Sequence, residues 1–215
     1  MKPFIIAIDG LAASGKGTLA NQIAAYYHLH HLDTGLTYRN VAYSLLKRNL
    51  PLDDHINAVA YAKELDLNAL DPILLRSLDI SEAASKIATI PAVREILVAK
   101  QRDFSKRLPG SVLDGRDIGT VVCPHADIKF YILANVQTRA KRRCQESLKK
   151  GRQANYHEIL ANLEQRDRRD MTRKYNPLKP AKNAHLLDTS ELSIKEALKA
   201  ACAFIDPLIK SHAVK

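Results

Sequence analysis

The chain has 215 residues, 46% of them hydrophobic, with a net charge of +10 and three cysteines. That length supports one sizeable core, or a core with a small appended lobe, and the absence of repeats and low-complexity tracts excludes solenoid and disordered classes. No apolar run approaches the roughly 18 residues of a membrane span, and Cys123, Cys144 and Cys202 lack any paired spacing, so a reduced, cytoplasmic protein is expected.

Phe4–Ile8 is a continuous apolar run ending at Asp9-Gly10, the pattern of a strand covered on both faces. A helix is predicted from about Gly15 to Tyr27, with Leu19, Ile23 and Tyr26/Tyr27 on one stripe. His31-Leu32-Asp33 reads as a second strand, and Tyr38 to Asn49 as a helix stopped by Pro51, with Tyr38 in the core. The neighbouring His28, His30 and His31 straddle a helix end and a strand, which suits surface or packing roles better than metal binding. From Leu50 to Ile90 the periodicity weakens to short helical pieces. Pro91 opens a long helix to about Leu108, with Val93, Leu97 and Phe104 inward. Val112-Leu113 is a third strand ending at Asp114-Gly115, and Ile128–Leu133 a fourth. Helices follow at about Val136–Lys150 and Tyr156–Arg169, separated by Gly151, with Asn155 and Glu158 as a cap for the second. His185-Leu186-Leu187 is a fifth strand, and Ser193 with Glu196 forms a capping box for the last helix, whose stripe includes Ala197, Ala201 and Leu208.

Strands alternating with helices imply an α/β fold with a parallel sheet covered on both faces. Ligands in such folds bind outside the carboxyl ends of the strands. Asp9, Asp33 and Asp114 each stand at such an end, so all three are expected to face one crevice. Between Gln137 and Asn183, fourteen Lys/Arg stand against five Asp/Glu, so nearly all of the basic excess lies in one segment. A nucleic-acid backbone, a polyphosphate or a merely solvated helix face would each account for it.

The most informative stretch is Gly10-Leu11-Ala12-Ala13-Ser14-Gly15-Lys16-Gly17-Thr18, which follows a strand and opens a helix. In that context it reads as a phosphate-cradling loop for a nucleoside triphosphate, most simply ATP. Glycines let successive N–H groups turn toward phosphate oxygens, the helix N-terminus adds its positive end, and Lys16 supplies a point charge to the β- and γ-phosphates. A glycine turn with no ligand would account for neither the lysine nor the spacing. Gly17 occupies the place where such loops usually carry the hydroxyl that touches magnesium. Thr18 is the next hydroxyl and a candidate neighbour of the ion.

Taken in order, the Asp9-Gly10 loop, Leu32-Asp33-Thr34-Gly35-Leu36-Thr37-Tyr38-Arg39, Leu113-Asp114-Gly115-Arg116-Asp117-Ile118-Gly119-Thr120-Val121-Val122, Arg166-Asp167-Arg168-Arg169-Asp170 with Arg173, and Leu187-Asp188-Thr189-Ser190 resemble the bacterial cytidylate kinases over nearly the whole chain. The Gly-Lys-Gly-Thr ending also resembles nucleoside monophosphate kinases. The resemblance implies a P-loop NTPase three-layer fold with a five-stranded parallel sheet. It divides the single domain into a core (about 1–50, 91–136 and 184–215), a small monophosphate-binding lobe (about 51–90) and a helical lid (about 137–183). It implies transfer of the γ-phosphoryl group of ATP to CMP or dCMP with magnesium. Arg39 and Arg116 match the clamps on the acceptor phosphate, where a forked guanidinium suits phosphate oxygens. Asp117 matches the acceptor for the cytosine amine, and Arg94 and Ser85 match donors to the ring acceptors. Arg166, Asp170 and Arg173 match the sugar side, and Thr34 belongs to the same acceptor site. Asp114 has the position of a carboxylate that holds magnesium through water. From the lid, Arg142, Arg143 and Arg152 are candidates for the ATP phosphates.

Two departures from the family pattern stand out. The stretch between about Leu67 and Ser85 is short and lacks the hairpin signature of a β-rich insert, and Ala12 replaces a serine that some relatives carry. Two other readings fit parts of the chain. A kinase acting on UMP, AMP or shikimate would share the loop, though Asp117 with Arg94 suits cytosine better than uracil, whose O4 would face a carboxylate. A basic nucleic-acid-binding ATPase would use the basic segment as its footprint, but no nucleic-acid-binding signature accompanies it. The expectation is therefore a monomer that binds small nucleotides, and neither nucleic acid nor a membrane.

Overall fold

Strand β1 (Phe4–Gly10) is apolar almost throughout because helices cover both of its faces. Phe4, Ile6 and Ile8 point into one apolar layer, and Ala7 into the other. The computed structural model describes residues 2–75, 77–149, 151 and 153–213. After β1 come α1 (Lys16–Tyr26), β2 (His30–Asp33), α2 (Thr34–Leu46), α3 (His55–Glu64), α4 (Pro72–Leu75), α5 (Leu78–Ile87), α6 (Pro91–Ser105) and β3 (Gly110–Gly115). The chain continues through β4 (Ile128–Leu133), α7 (Val136–Lys149), α8 (Tyr156–Thr172), β5 (His185–Asp188) and α9 (Ile194–Ala213).

The five strands pair in parallel in the order β2-β3-β1-β4-β5. This is the expected α/β architecture. β3 and β4 flank β1 on opposite sides, which opens a crevice outside its carboxyl end. The register sets Asp33 beside Asp114, and Asp9 beside Gly115. On one face, α1 and α9 bring Leu19, Ile23, Ala197, Ala201 and Ile205 onto β1 and β4. On the other, Val98 and Phe104 of α6 cover Leu32 and Leu113. A separate apolar cluster joins α2, α3, α5 and α6 through Val41, Leu45, Ala58, Ile87 and Leu97. Ala140 of α7 and Ile159 and Leu163 of α8 pack against Ala12 of the loop.

Several boundaries differ from the sequence reading for identifiable reasons. α2 begins at Thr34 rather than Tyr38, because the Asp33 carboxylate caps it by accepting from the Gly35 amide at 3.0 Å. The weakly patterned stretch resolves into short helices, with α3 capped by Asp54 and α5 by Ser77. Between Leu67 and Ser85 the described residues contain a 3-10 turn and helices but no strand. α6 stops at Ser105, α8 runs on to Thr172, and Lys150 lies outside the described residues. A π-turn, Ile118–Val122, had no sequence signal. It is closed by i→i+5 bonds from the Val122 amide to the Asp117 carbonyl (3.1 Å) and from the Cys123 amide to the Ile118 carbonyl (2.7 Å). The two predicted caps form: Asn155 accepts from the His157 and Glu158 amides, and Ser193 and Glu196 bond reciprocally. Among the described residues the three cysteines are free, and no helix is long and apolar enough to cross a membrane.

Candidate active site

The loop after β1 is shaped by two glycines. A Cβ on Gly10 would fall on the carbonyl oxygen of Ile132, so the chain can pass β4 there only without a side chain. Gly15 takes φ 88°, a left-handed conformation that turns the backbone into α1. Ser14 is fully buried behind the loop. Thr189, following β5, places its hydroxyl 2.8 Å from the Ser14 carbonyl and 3.1 Å from that of Leu133, tying the loop to the sheet. Lys16 is half-buried, and its ammonium is pulled down to about 7, first by loss of water around it and then by the neighbouring Arg116. Asp114 and Asp33 oppose the shift.

A crevice of about 1050 Å³ runs from this loop across the sheet end to α5 and α6. Of the loop residues, Ala13, Gly15, Lys16, Gly17 and Thr18 line it. Gly10, Leu11, Ala12 and Ser14 do not, and Ala12 packs against α7 and α8. The crevice also brings together Thr34, Arg39, Ser85, Arg94, Asp114, Arg116, Asp117, Arg142, Arg143, Arg166, Asp170 and Arg173. Arg152 lies outside the described residues.

These charged groups form two linked knots. Asp170 accepts from Arg116 Nε at 2.8 Å and stands 3.9 Å from Arg166 Nε. Burial alone would push the Asp170 carboxyl up, but Arg116 and Arg166 hold it below its ordinary value. Burial, and then Arg116 beside it, draws Arg166 down to about 10. Asp117 accepts from Arg94 Nη2 in a short ion pair and lies 3.6 Å from Arg173 Nη2. Arg94 also donates to the Ala88 carbonyl at 3.1 Å, with its guanidinium 5.4 Å over the Tyr38 ring. Ser85, which lines the same crevice, is buried, and its hydroxyl has no hydrogen-bond partner among the described residues. Arg39 pairs with Asp33 at 3.7 Å. His31, expected from the sequence to have a surface or packing role, sits in the crevice wall with Nε2 3.0 Å from Asp114 Oδ1. On the lid side, Arg142 donates to the hydroxyl and carbonyl of Thr189, and Arg143 pairs with Glu146 at 3.2 Å.

One expectation is corrected. Asp9 does not face the crevice with Asp33 and Asp114. Its buried carboxylate accepts from the amides of Ile118 (2.7 Å) and Gly119 (2.8 Å), and burial pushes it up to about 7 against the pull of those two bonds. A residue the sequence did not single out is Arg139. It is buried, and it donates to Ala134 O at 2.9 Å, to Ala12 O at 3.2 Å and to Asp167 Oδ2 at 2.6 Å. It thereby ties α7 to α8 and to the back of the phosphate loop.

The sequence matches the family described as Cytidylate kinase over residues 6–206. The chain belongs to the cytidylate kinase family. A cytidylate kinase of Bartonella tribocorum is 73% identical over 214 residues, spanning 100% of both chains. One of Brucella ovis is 57% identical over 210 residues, spanning 98% of this chain and 96% of its own. Cytidylate kinases are phosphotransferases, so membership makes ATP the co-substrate and nucleotides the substrates. Among solved structures, an uncharacterized protein from Eubacterium ventriosum aligns with a TM-score of 0.58 at 18% identity, covering 96% of this chain and 99% of its own. A gluconokinase from Sinorhizobium meliloti aligns with a TM-score of 0.55 at 10% identity, covering 99% and 97%. These two likenesses concern the α/β fold alone.

Proposed function

We propose that the protein transfers the γ-phosphoryl group of ATP to CMP or dCMP, giving ADP and CDP or dCDP, by direct in-line displacement. The observation that carries this is the single crevice joining the Lys16 loop to the Asp117, Arg94 and Ser85 group, with arginines between them. Two phosphate groups repel each other, and a kinase must still hold both in line. A row of cations, most of them already held by carboxylate partners along the crevice, does that with little reorganisation. In this reading the loop from Gly10 to Thr18 cradles the ATP phosphates, mainly through its backbone. Lys16, Arg142 and Arg143 neutralise charge on the donor side. Arg142 would exchange its Thr189 bonds for phosphate oxygens as the lid of about residues 137–183 closes over the lobe of about residues 51–90.

Arg39 and Arg116, with Thr34, hold the acceptor phosphate, and Arg166, Asp170 and Arg173 hold the sugar. Asp117 accepts from the cytosine amine, while Arg94 and the unpartnered hydroxyl of Ser85 donate to the ring. No three His, Cys, Asp or Glu side chains converge as a metal cage among the described residues. Asp114 Oδ2 lies 3.6 Å from where a Cβ on Gly17 would stand, at the edge of the loop. That donor set suits a magnesium ion held mostly by phosphate oxygens and water, with Asp114 and Thr18 beside it. Bound there, the ion would neutralise charge on the transferred group.

A panel of CMP, dCMP, UMP and AMP, each with ATP and read as ADP release, tests the assignment. CMP and dCMP should be the efficient acceptors, and faster turnover of UMP or AMP would overturn it. Lys16→Ala should abolish most turnover, and near-normal rates would refute the loop's role. Radiolabelled γ-phosphate remaining on the protein without acceptor would refute direct transfer.

A further inference from the structure

The carboxyl end of β1 holds a carboxylate that this chemistry does not use. Asp9 is buried, and both its oxygens are taken up by the amides of Ile118 and Gly119. Those residues begin the π-turn that directly follows Asp117. The first N–H groups of a helical turn have no partner inside it, and the residue just before ordinarily supplies a side-chain acceptor. Asp117 occupies that position and makes no such bond. Its carboxylate is turned the other way, onto Arg94 and Arg173. The cap comes instead from Asp9, 109 residues earlier in the chain. Asp9 sits on the central strand, hydrogen-bonded on both sides by β3 and β4, so the acceptor is rigidly mounted.

We propose that Asp9 is a positioning residue for base reading: by capping the turn in place of Asp117, it keeps the Asp117 carboxylate turned toward the crevice beside Arg94 and Arg173, where it can meet the nucleobase. This rests on Asp117 being the cytosine reader. Without the Asp9 acceptors, the two exposed amides would compete for the nearest carboxylate, that of Asp117, and draw it off the base. An asparagine at position 9 keeps the shape but turns an N–H₂ toward one of the two amides, so one buried donor is left unpaired.

The experiment compares Asp9→Asn, Asp117→Asn and the double variant by kcat/KM for CMP and UMP, KM for ATP, and Tm. Asp9→Asn should lower the preference for CMP over UMP by about tenfold or more, while KM for ATP stays near the wild-type value. In the Asp117→Asn background, adding Asp9→Asn should bring no further loss of preference, because both act on one contact. Undiminished preference in folded Asp9→Asn overturns the inference, as does a loss that simply adds to that of Asp117→Asn. Preference retained in Asp117→Asn refutes base reading by Asp117, and this inference with it. Preference lost in Asp117→Asn but kept in Asp9→Asn refutes only the role of Asp9. If Asp9→Asn does not fold, Asp9→Ser, which leaves no buried charge, is read in the same assays with the same expectations.

Discussion

Ser85 and Asp117, both proposed to read the base, line the same crevice, but the fold treats them differently. The Ser85 hydroxyl is buried with no hydrogen-bond partner among the described residues, so the protein pays its desolvation without return. Ser85→Ala should therefore leave Tm unchanged or raise it, while raising KM for CMP about five- to tenfold through the lost hydrogen bond and leaving KM for ATP alone. Thermal melts with initial rates check both halves. Asp117 neutralises two buried guanidiniums, those of Arg94 and Arg173. Asp117→Ala should lower the CMP/UMP preference more than ATP affinity and also destabilise the fold by about 3–5 kcal/mol, because buried cations are left uncompensated. Equal losses for both substrates would count against a base-reading role. Neither residue announces itself by local pattern. A serine within a helix and an aspartate after a strand are ordinary, and only the ordered set of motifs around them marked them out.

At the scale of elements, the phosphate loop and the strands were legible because their physics is local. Backbone reversal needs glycine, and a strand buried on both faces needs an unbroken apolar run. The π-turn was not legible, since its i→i+5 bonds impose no residue type, and the stretch between Leu50 and Ile90 breaks into a 3-10 turn and helices of four to ten residues, so no one period runs through it. Arg139 escaped notice for another reason. Its partners include a backbone carbonyl 127 residues away, which no sequence spacing records. Replacing it with leucine would orphan the Ala12 and Ala134 carbonyls and the Asp167 carboxylate at once. Arg139→Leu should cost about 3–5 kcal/mol of stability and raise KM for ATP more than KM for CMP. Urea unfolding with two-substrate kinetics tests this. An unchanged ATP constant in folded protein would reduce Arg139 to a lid staple with no hold on the loop.

For the whole molecule, five of the eight arginines in the basic segment noted in the sequence turn inward, while Arg168 is exposed. Arg139 is buried, and Arg142, Arg143, Arg166 and Arg173 line the crevice. Two groups with opposite shifts, buried Asp9 and half-buried Lys16, shape the pH dependence of stability near neutrality. Asp9 holds its proton up to about 7 in the folded chain against 3.8 ordinarily, so its stabilising contribution is complete below about pH 4 and is lost as pH rises through 7. Lys16 sits at about 7 against 10.5, so its contribution is complete above about pH 10.5 and is lost as pH falls through 7. Together they place a shallow stability minimum near neutrality. Urea midpoints measured from pH 5 to 9 should show it. Asp9→Asn should remove the decline on the acid side, and Lys16→Met the recovery on the alkaline side.

Asp9 and Gly10 are consecutive residues at the end of the central strand. One reaches back to the turn that carries Asp117, and the other opens the loop that carries Lys16. A single peptide unit, about 3.8 Å from Cα to Cα, thus serves as the gauge between the two halves of the site. Substitutions in the outlying helices would then alter how tightly each nucleotide is gripped, while the spacing between donor and acceptor stays as the strand sets it.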